Sequence, residues 1–466
     1  MPRDPVLDAF AATVARRPAA PLVASPVRSW TASDLARAAA ALGERLAAEG
    51  FGAGDALGVA AAPGPAFLAG YLALRRCGAV PVLCDSARPT ADRLAALDRL
   101  GVVGFLAEPT GWPSGAGDWT LARREAPRRI AHDPAWGAVK LTSGSTGEPR
   151  GIAVRAEALL ADDAQLAAAM GLDAGDRFLA AVPLAHSYGF SSLALPALVR
   201  GSLLVVPADR APFAPLVAAA ALGATVFPTV PAWLGAYARM PAAPAWPESI
   251  RLVVSAGAPL APAVARELRL RTARAVHAFY GASECGGITY DRVGDAAERG
   301  TVGTAVDGVA LALDDASGRL IVRSPAVAER YLPEPARELG DGAFTTGDLA
   351  TIENGEVRLH GRADDWVIVR GKNVNPREVE SVLREIPGVD DASVFGVDGP
   401  DGPRTLLRAV VAAPGGVVDA ARLLAFCRDR LAEHKVPRSV VVVRALPRTE
   451  RGKLDRGELE ALAARA

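Results

Sequence analysis

The order of apolar runs along this 466-residue chain predicts an α/β protein: a large amino-terminal domain of layered α/β sheets, a small antiparallel β subdomain within it, and a small α+β carboxy-terminal domain. Three observations carry the prediction. From about residue 5 to 130, helical and strand-like apolar runs alternate in the βαβ rhythm of a mainly parallel sheet. From about Gly300 to His360 the pattern changes to short strands separated by turn sequences. After Gly361 come two amphipathic helical segments, each near a Val-rich strand.

Taken in order, Asp34 to Glu49 has helical periodicity and Ala56 to Ala61 reads as a strand. Pro65 to Arg76 is a helix opened by proline, whose fixed φ and missing N–H suit a first helical position, and Ala79 to Leu83 is the next strand. The alternation resumes with a helix near Ala156 to Ala169 and strands near Arg177 to Ala181, Ser202 to Val206 and Ile250 to Ser255. Asp315 to Gly318 and Glu353 to Gly355 are turns of the antiparallel subdomain. The last helices are Pro376 to Glu385 and Asp419 to Glu433.

At this length the chain exceeds one compact core and divides into about two or three domains. Half of it is hydrophobic and 22% charged, which excludes a disordered chain. Lys plus Arg equals Asp plus Glu at 52 each, so no net field recruits nucleic acid or an anionic membrane, and the expected partners are small molecules or one specific protein. Cys77, Cys84, Cys285 and Cys427 lack metal-ligand spacing and are too few for a disulfide framework, which suits a reducing cytoplasm. Residues 211–238 carry no charge and are long enough to span a bilayer, but four prolines divide them into a buried helix and a buried strand, so no membrane span is expected. Only four basic residues are lysine: Lys140, Lys372, Lys435 and Lys453. In a chain that otherwise uses arginine, each lysine marks a place where a compact ammonium is needed.

The segment Leu141 to Gly151, LTSGSTGEPRG, combines three glycines, four hydroxyls and one cation. Glycine turns bare successive amides and the hydroxyls add donors, which makes a phosphate cradle; a flexible surface loop is the plain alternative. It is not a Walker A loop, since that spacing and its lysine are missing. Four further segments follow in order: Tyr280 to Glu284 (YGASE), beyond a strand; Thr345 to Leu349 (TTGDL), with Asp348 after a turn glycine; Gly361 to Gly371 (GRADDWVIVRG); and Pro447 to Leu454 (PRTERGKL). Together these motifs resemble the adenylate-forming superfamily of acyl-CoA synthetases, peptide-synthetase adenylation domains and luciferases, over nearly the whole chain. The chain departs from the family pattern in carrying Arg150 for lysine and Ser283 for threonine.

The resemblance implies an ATP-dependent enzyme with Mg²⁺ that converts a carboxylic acid to an acyl-adenylate, releases pyrophosphate and passes the acyl group to a thiol. It implies a core of residues 1–361 for ATP and acid, and a mobile domain of residues 362–466 turning about a hinge at Asp364. Thr142, Ser143, Gly144, Ser145, Thr146 and Gly147 would wrap the phosphates with Arg150, and Glu284 with nearby hydroxyls would hold Mg²⁺. Ser255, Gly257, Ala258, Pro259, Tyr280, Gly281 and Ser283 would surround the nucleotide, Asp348 would take the ribose hydroxyls, and Arg362 would assist. Lys453 would bridge the substrate carboxylate and the α-phosphate, with a solvated loop lysine as the alternative. The implied catalytic set is Lys453, Thr142, Glu284 and His186, the last as a gate beside the carboxylate path or else a satisfied core histidine.

Amino-acid-activating relatives place an aspartate where this chain has Ser187, and a buried ammonium without a carboxylate is costly, so an aryl or medium aliphatic acid is expected. The acid pocket would draw on His186, Ser187, Phe190, Val230, Gly257 and Gly286, with the apolar segments Phe190 to Pro196 and Val226 to Trp233. For the acceptor, Arg370, Gly371 and Lys372 suit CoA; the phosphopantetheine of an acyl or peptidyl carrier protein, or an amine, remains open. From another class, a catalytically silent acyl-nucleotide-binding protein is also possible on this fold.

Overall fold

The computed structural model describes residues 4–84, 95, 97–107, 119–124, 130–142, 150–209, 211–333, 339, 341–370, 372–399, 402–416, 418–448 and 454–464. The chain forms two compact units. The first comprises Met1–Leu311, Ile321–Phe344 and Asn354–Val357, and the second Ala312–Leu320, Thr345–Glu353 and Arg358–Ala466.

The first unit carries two sheets. Among the described residues one has seven strands, in the order Arg330–Leu332, Arg150–Arg155, Trp136–Thr142, Val80–Cys84, Ala56–Ala60, Val102–Ala107 and Thr120–Arg123. Its centre is parallel, as the βαβ rhythm predicts. The other sheet sets Arg177–Leu179, Val226–Thr229, Leu252–Ser255 and Val276–Ala282 side by side and parallel, then turns antiparallel at Gly286–Tyr290. Helix Pro65–Arg76 is buried along almost its whole length because it is apolar on every side, and Tyr71 and Phe67 meet Phe190 edge-on. Helix Ala32–Ala48 begins at a reciprocal cap between Thr31 and Asp34.

Most predicted elements fall within a residue or two of their expected bounds. Residues 211–238 resolve into helix Ala214–Leu222, strand Val226–Thr229 and helix Pro231–Arg239, and among the described residues no helix is long and apolar enough to cross a membrane. The helix expected from Asp419 to Glu433 is shorter, Ala420–Arg430, because Leu431 turns extended and a single turn of 3-10 helix follows. Thr345 to Leu349 lie inside the long strand Ala343–Glu353. Gly347 is therefore a strand glycine and not the turn glycine expected. It is small for another reason, since a Cβ there would sit 2.5 Å from Arg362 Nη2.

In the second unit, strands Asp391–Gly399, Gly402–Ala412 and Ser439–Val443 form a sheet, antiparallel then parallel. Alternation along the middle strand sends Ala409 and Val411 to a core with Val379, Leu383 and Leu423, and Val410 and Ala412 to one with Leu459 and Ala463. Helices Pro376–Arg384 and Ala420–Arg430 cover the first face and Arg456–Ala464 the second.

Candidate active site

In the first unit the carboxyl ends of the parallel strands Val226–Thr229, Leu252–Ser255 and Val276–Ala282 open side by side, the edge at which α/β sheets present ligand sites. Ser255 is buried there with no hydrogen-bond partner for its hydroxyl among the described residues, and the exposed residues Gly257, Ala258 and Pro259 follow it. Gly257 has φ +86° and open space around it, so its backbone conformation and not crowding calls for glycine. The amide of Ala256 donates to Thr229 O at 3.2 Å, tying this turn to the neighbouring strand beside Val230.

The YGASE residues begin within strand Val276–Ala282, which includes Tyr280, Gly281 and Ala282. Only Ser283 and Glu284 lie beyond it, a correction to the sequence reading that placed the motif after the strand. Gly281 must lack a side chain because a Cβ would come 2.7 Å from Gly286 O across the hairpin. The turn beyond is held from both sides. The Tyr331 hydroxyl donates to Glu284 Oε1 at 3.0 Å, the Ala328 amide donates to Glu284 O at 2.7 Å, and the Asp162 carboxylate accepts from the Gly287 amide at 2.9 Å. Neither Tyr331 nor Asp162 belongs to a motif, and nothing in the local sequence marks them.

His186 is the half-buried residue before the helical stretch Ser187–Gly189, and its carbonyl accepts from the Phe190 amide at 2.8 Å. Ser187 Oγ donates to Ser283 Oγ at 2.6 Å, so the expected acid-pocket and metal-side segments are joined by two hydroxyls. The Tyr188 hydroxyl donates to Val254 O at 2.9 Å. Phe190 corrects the sequence reading: it is fully buried and its ring is edge-on to Tyr71 and Phe67, so it belongs to the core and not to the pocket wall. A narrow cavity is lined by Tyr188, Ser192, Pro196, Val226, Pro228 and Val254, and none of the expected acid-pocket residues is part of its lining. Asp163 and Arg200, an ion pair at 2.9 Å, stand at its polar border. Burial there pushes the Asp163 carboxyl up to about 6.

Of the phosphate-loop residues, Thr142 and Arg150 are partners across the antiparallel strands Trp136–Thr142 and Arg150–Arg155. Arg150 is exposed at the start of its strand. Ser143, Gly144, Ser145, Thr146 and Gly147 lie outside the described residues. One turn of strand earlier, Lys140 is 3% exposed, and burial pulls its ammonium below the usual lysine range.

In the second unit Asp348 is half-buried, and its amide donates to Thr346 Oγ1 at 3.1 Å. The Arg362 guanidinium lies over Gly347, the residue before Asp348. Asp364 is in the short 3-10 helix Ala363–Asp365, and its neighbour Asp365 pairs with Arg456 at 3.0 Å. Arg370 takes a positive φ of 52° and pairs with Glu433 at 2.9 Å. Gly371 and Lys453 lie outside the described residues; next to the latter, Leu454 is bridged to Arg448.

No group of three or more His, Cys, Asp or Glu side chains among the described residues could enclose a metal ion. A lone carboxylate such as Glu284 fits Mg²⁺ only in the way that ion is held with substrate phosphates, one or two carboxylates completing a shell of phosphate and water oxygens.

The carboxyl edge of parallel strands, here with one turn carboxylate and flanking hydroxyls, is where α/β enzymes bind phosphorylated ligands. The chain belongs to the AMP-binding enzyme family: the family's main model matches residues 10–332, and the model of its carboxy-terminal domain matches residues 378–453. It is an ATP-dependent, AMP-forming carboxylate ligase of the acid–thiol type. A feruloyl-CoA synthase from Amycolatopsis sp. is 30% identical over 460 residues, covering 92% of this chain and 93% of the relative. Among solved structures, ATP-bound MatB from Rhodopseudomonas palustris superposes with a TM-score of 0.82 at 26% identity, covering 97% of this chain and 98% of that one. The amide bond synthetase McbA from Marinactinospora thermotolerans gives 0.81 at 26% identity, over 98% and 99%.

Proposed function

We propose that the enzyme activates an aryl or medium aliphatic carboxylic acid with ATP and transfers the acyl group to the thiol of CoA. In the first step a carboxylate oxygen attacks the α-phosphorus, the bond to the β-phosphate oxygen breaks and pyrophosphate leaves. In the second the thiol adds at the acyl carbon and AMP departs. Charge accumulates on phosphoryl oxygens, so rate depends on preorganised donors and cations. Thr142 and the residues 143–147 hold the β- and γ-phosphates with Arg150; Ser255, Gly257, Ala258, Pro259, Tyr280 and Gly281 enclose the adenine; Asp348 takes the ribose hydroxyls with Arg362 beside it. Bound Mg²⁺, taken up by Glu284 with the hydroxyl of Ser283 nearby, would screen phosphate charge. Lys453 neutralises the α-phosphate and the incoming carboxylate together. His186 gates the carboxylate path, Asp364 serves as the hinge of a domain 362–466, and Arg370 and Gly371 border the thiol path.

The observation that carries this reading is the joining of the acid-side and metal-side segments by Ser187 and Ser283, with Glu284 fixed by Tyr331 one residue on. Ser187 spends its hydroxyl on Ser283, and no carboxylate stands at that position to meet a substrate ammonium, which supports an acid without an α-amino group. The apolar segments Phe190 to Pro196 and Val226 to Trp233 support an apolar acyl body. A second acceptor deserves the same assay, because an isonitrile lipopeptide synthase from Streptomyces coeruleorubidus is 30% identical over 99% of this chain, although the match covers 34% of that larger protein.

The test is ATP–pyrophosphate exchange with a panel of carboxylic acids, followed by product analysis with CoA and with a phosphopantetheinylated carrier protein. Exchange with aryl or medium aliphatic acids and an acyl-CoA product is expected. An acyl-loaded carrier protein with no acyl-CoA would reassign the acceptor, and ATP binding without exchange for any acid would leave a silent nucleotide-binding protein.

A further inference from the structure

Lys140 has no part in the chemistry described above, yet it occupies an unusual place. Lys372 is exposed and Lys435 pairs with Glu378 at 2.7 Å on the surface, whereas Lys140 is 3% exposed on strand Trp136–Thr142. Its neighbour Val139 enters the apolar core with Val80 and Val82, so alternation sends Lys140 to the opposite face of the sheet. Helix Ala156–Met170 packs both on this strand and on strand Gly286–Tyr290. Asp162 of that helix is the carboxylate whose charge acts most strongly on Lys140; Cys285 and Glu284 come next.

Asp162 is 2% exposed and meets the strand that leads away from Glu284. Its Oδ1 accepts from the Gly287 amide at 2.9 Å, and the same oxygen would be 2.4 Å from a Cβ at Gly286, so the carboxylate rests directly on that glycine. Its Oδ2 has no hydrogen-bond partner among the described residues. Two opposite charges buried on packed elements offset part of each other's desolvation cost. An apolar side chain would serve a buried strand position at lower desolvation cost, so the lysine calls for a role besides packing.

We propose that Lys140 and Asp162 form a buried, charge-compensating couple that positions Glu284: Asp162 clamps the main chain at Gly286 and Gly287, and Lys140 supplies the countercharge that holds Asp162 in that clamp. This rests on the reading of Glu284 as the carboxylate at the magnesium–phosphate end of the ATP site. Both are positioning residues, acting on the ligand through Glu284 as outer-shell groups act through metal ligands.

The full-length protein and its Lys140→Met, Lys140→Arg, Asp162→Asn, Lys140→Met/Asp162→Asn and Glu284→Ala variants test this by calorimetric binding of magnesium-ATP and by thermal unfolding without nucleotide. Lys140→Met and Asp162→Asn should each weaken magnesium-ATP binding about tenfold or more, the usual scale for losing a group behind a metal ligand. In exchange assays the KM for magnesium-ATP should rise while that for the acid stays within about threefold, Lys140→Arg should retain most binding, and the double variant should recover most of the loss in both binding and melting temperature. Single variants that bind like wild type, or a double variant that loses the sum of the two, would overturn the couple. If Glu284→Ala binds magnesium-ATP normally, the reading of Glu284 is wrong, while the melting temperatures of the nucleotide-free variants still report whether the two charges are coupled.

Discussion

At the scale of single residues, the chain's preference for arginine separates two kinds of positive charge. Arg150, exposed at the start of its strand and facing Thr142 across the ladder, is placed to supply charge more than a particular shape. Arg150→Lys is therefore expected to keep pyrophosphate exchange within about threefold of wild type, measured at saturating acid. A larger loss would mean that the planar, forked guanidinium grips phosphate in a way an ammonium cannot. Asp163 offers a different test. Its folded-state carboxyl is raised to about 6 by burial, against which Arg200 works, so the folded protein binds more protons than the unfolded chain between about pH 4 and that value. Stability from this group is fully present at the acid end of the window and declines as pH rises through it. Melting curves of Asp163→Asn, which cannot titrate, should move in favour of the variant relative to wild type as pH goes from about 4 to 6. A constant difference across the window would show that the carboxyl is not perturbed.

At the scale of elements, glycines mark where two segments must approach more closely than a side chain permits. Gly286 has φ +70°, and a Cβ there would meet Asp162 Oδ1 at 2.4 Å. Gly286→Ala combines a strained backbone with an overlap against a buried carboxylate, and should cost about 1–3 kcal/mol in chemical denaturation together with most of the exchange activity. A variant of unchanged stability would mean that the turn after Glu284 is not clamped. At Gly347 the crowding atom is the end of a flexible arginine, which can swing aside, so the fold itself does not depend on that glycine. Motif and periodicity placed the helices and strands, but not these contacts. Tyr331 reaches Glu284 across 47 residues and Asp162 reaches Gly287 across 125, separations at which no local pattern carries information. The same reason explains the misplaced turn at Gly347: TTGDL reads as a turn because glycine and aspartate favour turns, and only the pairing of the long strand overrides that local preference.

At the scale of the whole molecule, one lysine should separate the two half-reactions. Lys453→Ala is expected to lower adenylation, read by pyrophosphate exchange, by about 10²-fold or more, while transfer to CoA from a supplied acyl-adenylate stays near wild type. Near-normal exchange in this variant would remove Lys453 from the first step; equal loss in both steps would mean that it serves the fold or both reactions. The compact units bear on how such a division is built. The second unit takes in Asp348 and Arg362 together with the three-stranded sheet and its helices, and the first contains Glu284, Tyr280 and Ser255.

By itself the sequence determined the α/β class, the order of the elements and the family, because periodicity and short ordered motifs are local and survive without knowledge of what lies opposite. It also marked lysine as a residue used sparingly, without indicating that Lys140 would be the buried one. Only the tertiary structure decided that Phe190 belongs to the core, that Ser187 is committed to Ser283, and that Asp162 clamps the strand beyond Glu284. Those outcomes depend on which side chains compete for the same buried space and the same hydrogen-bond donors. That competition is set by packing between distant segments and leaves no periodic trace along the chain.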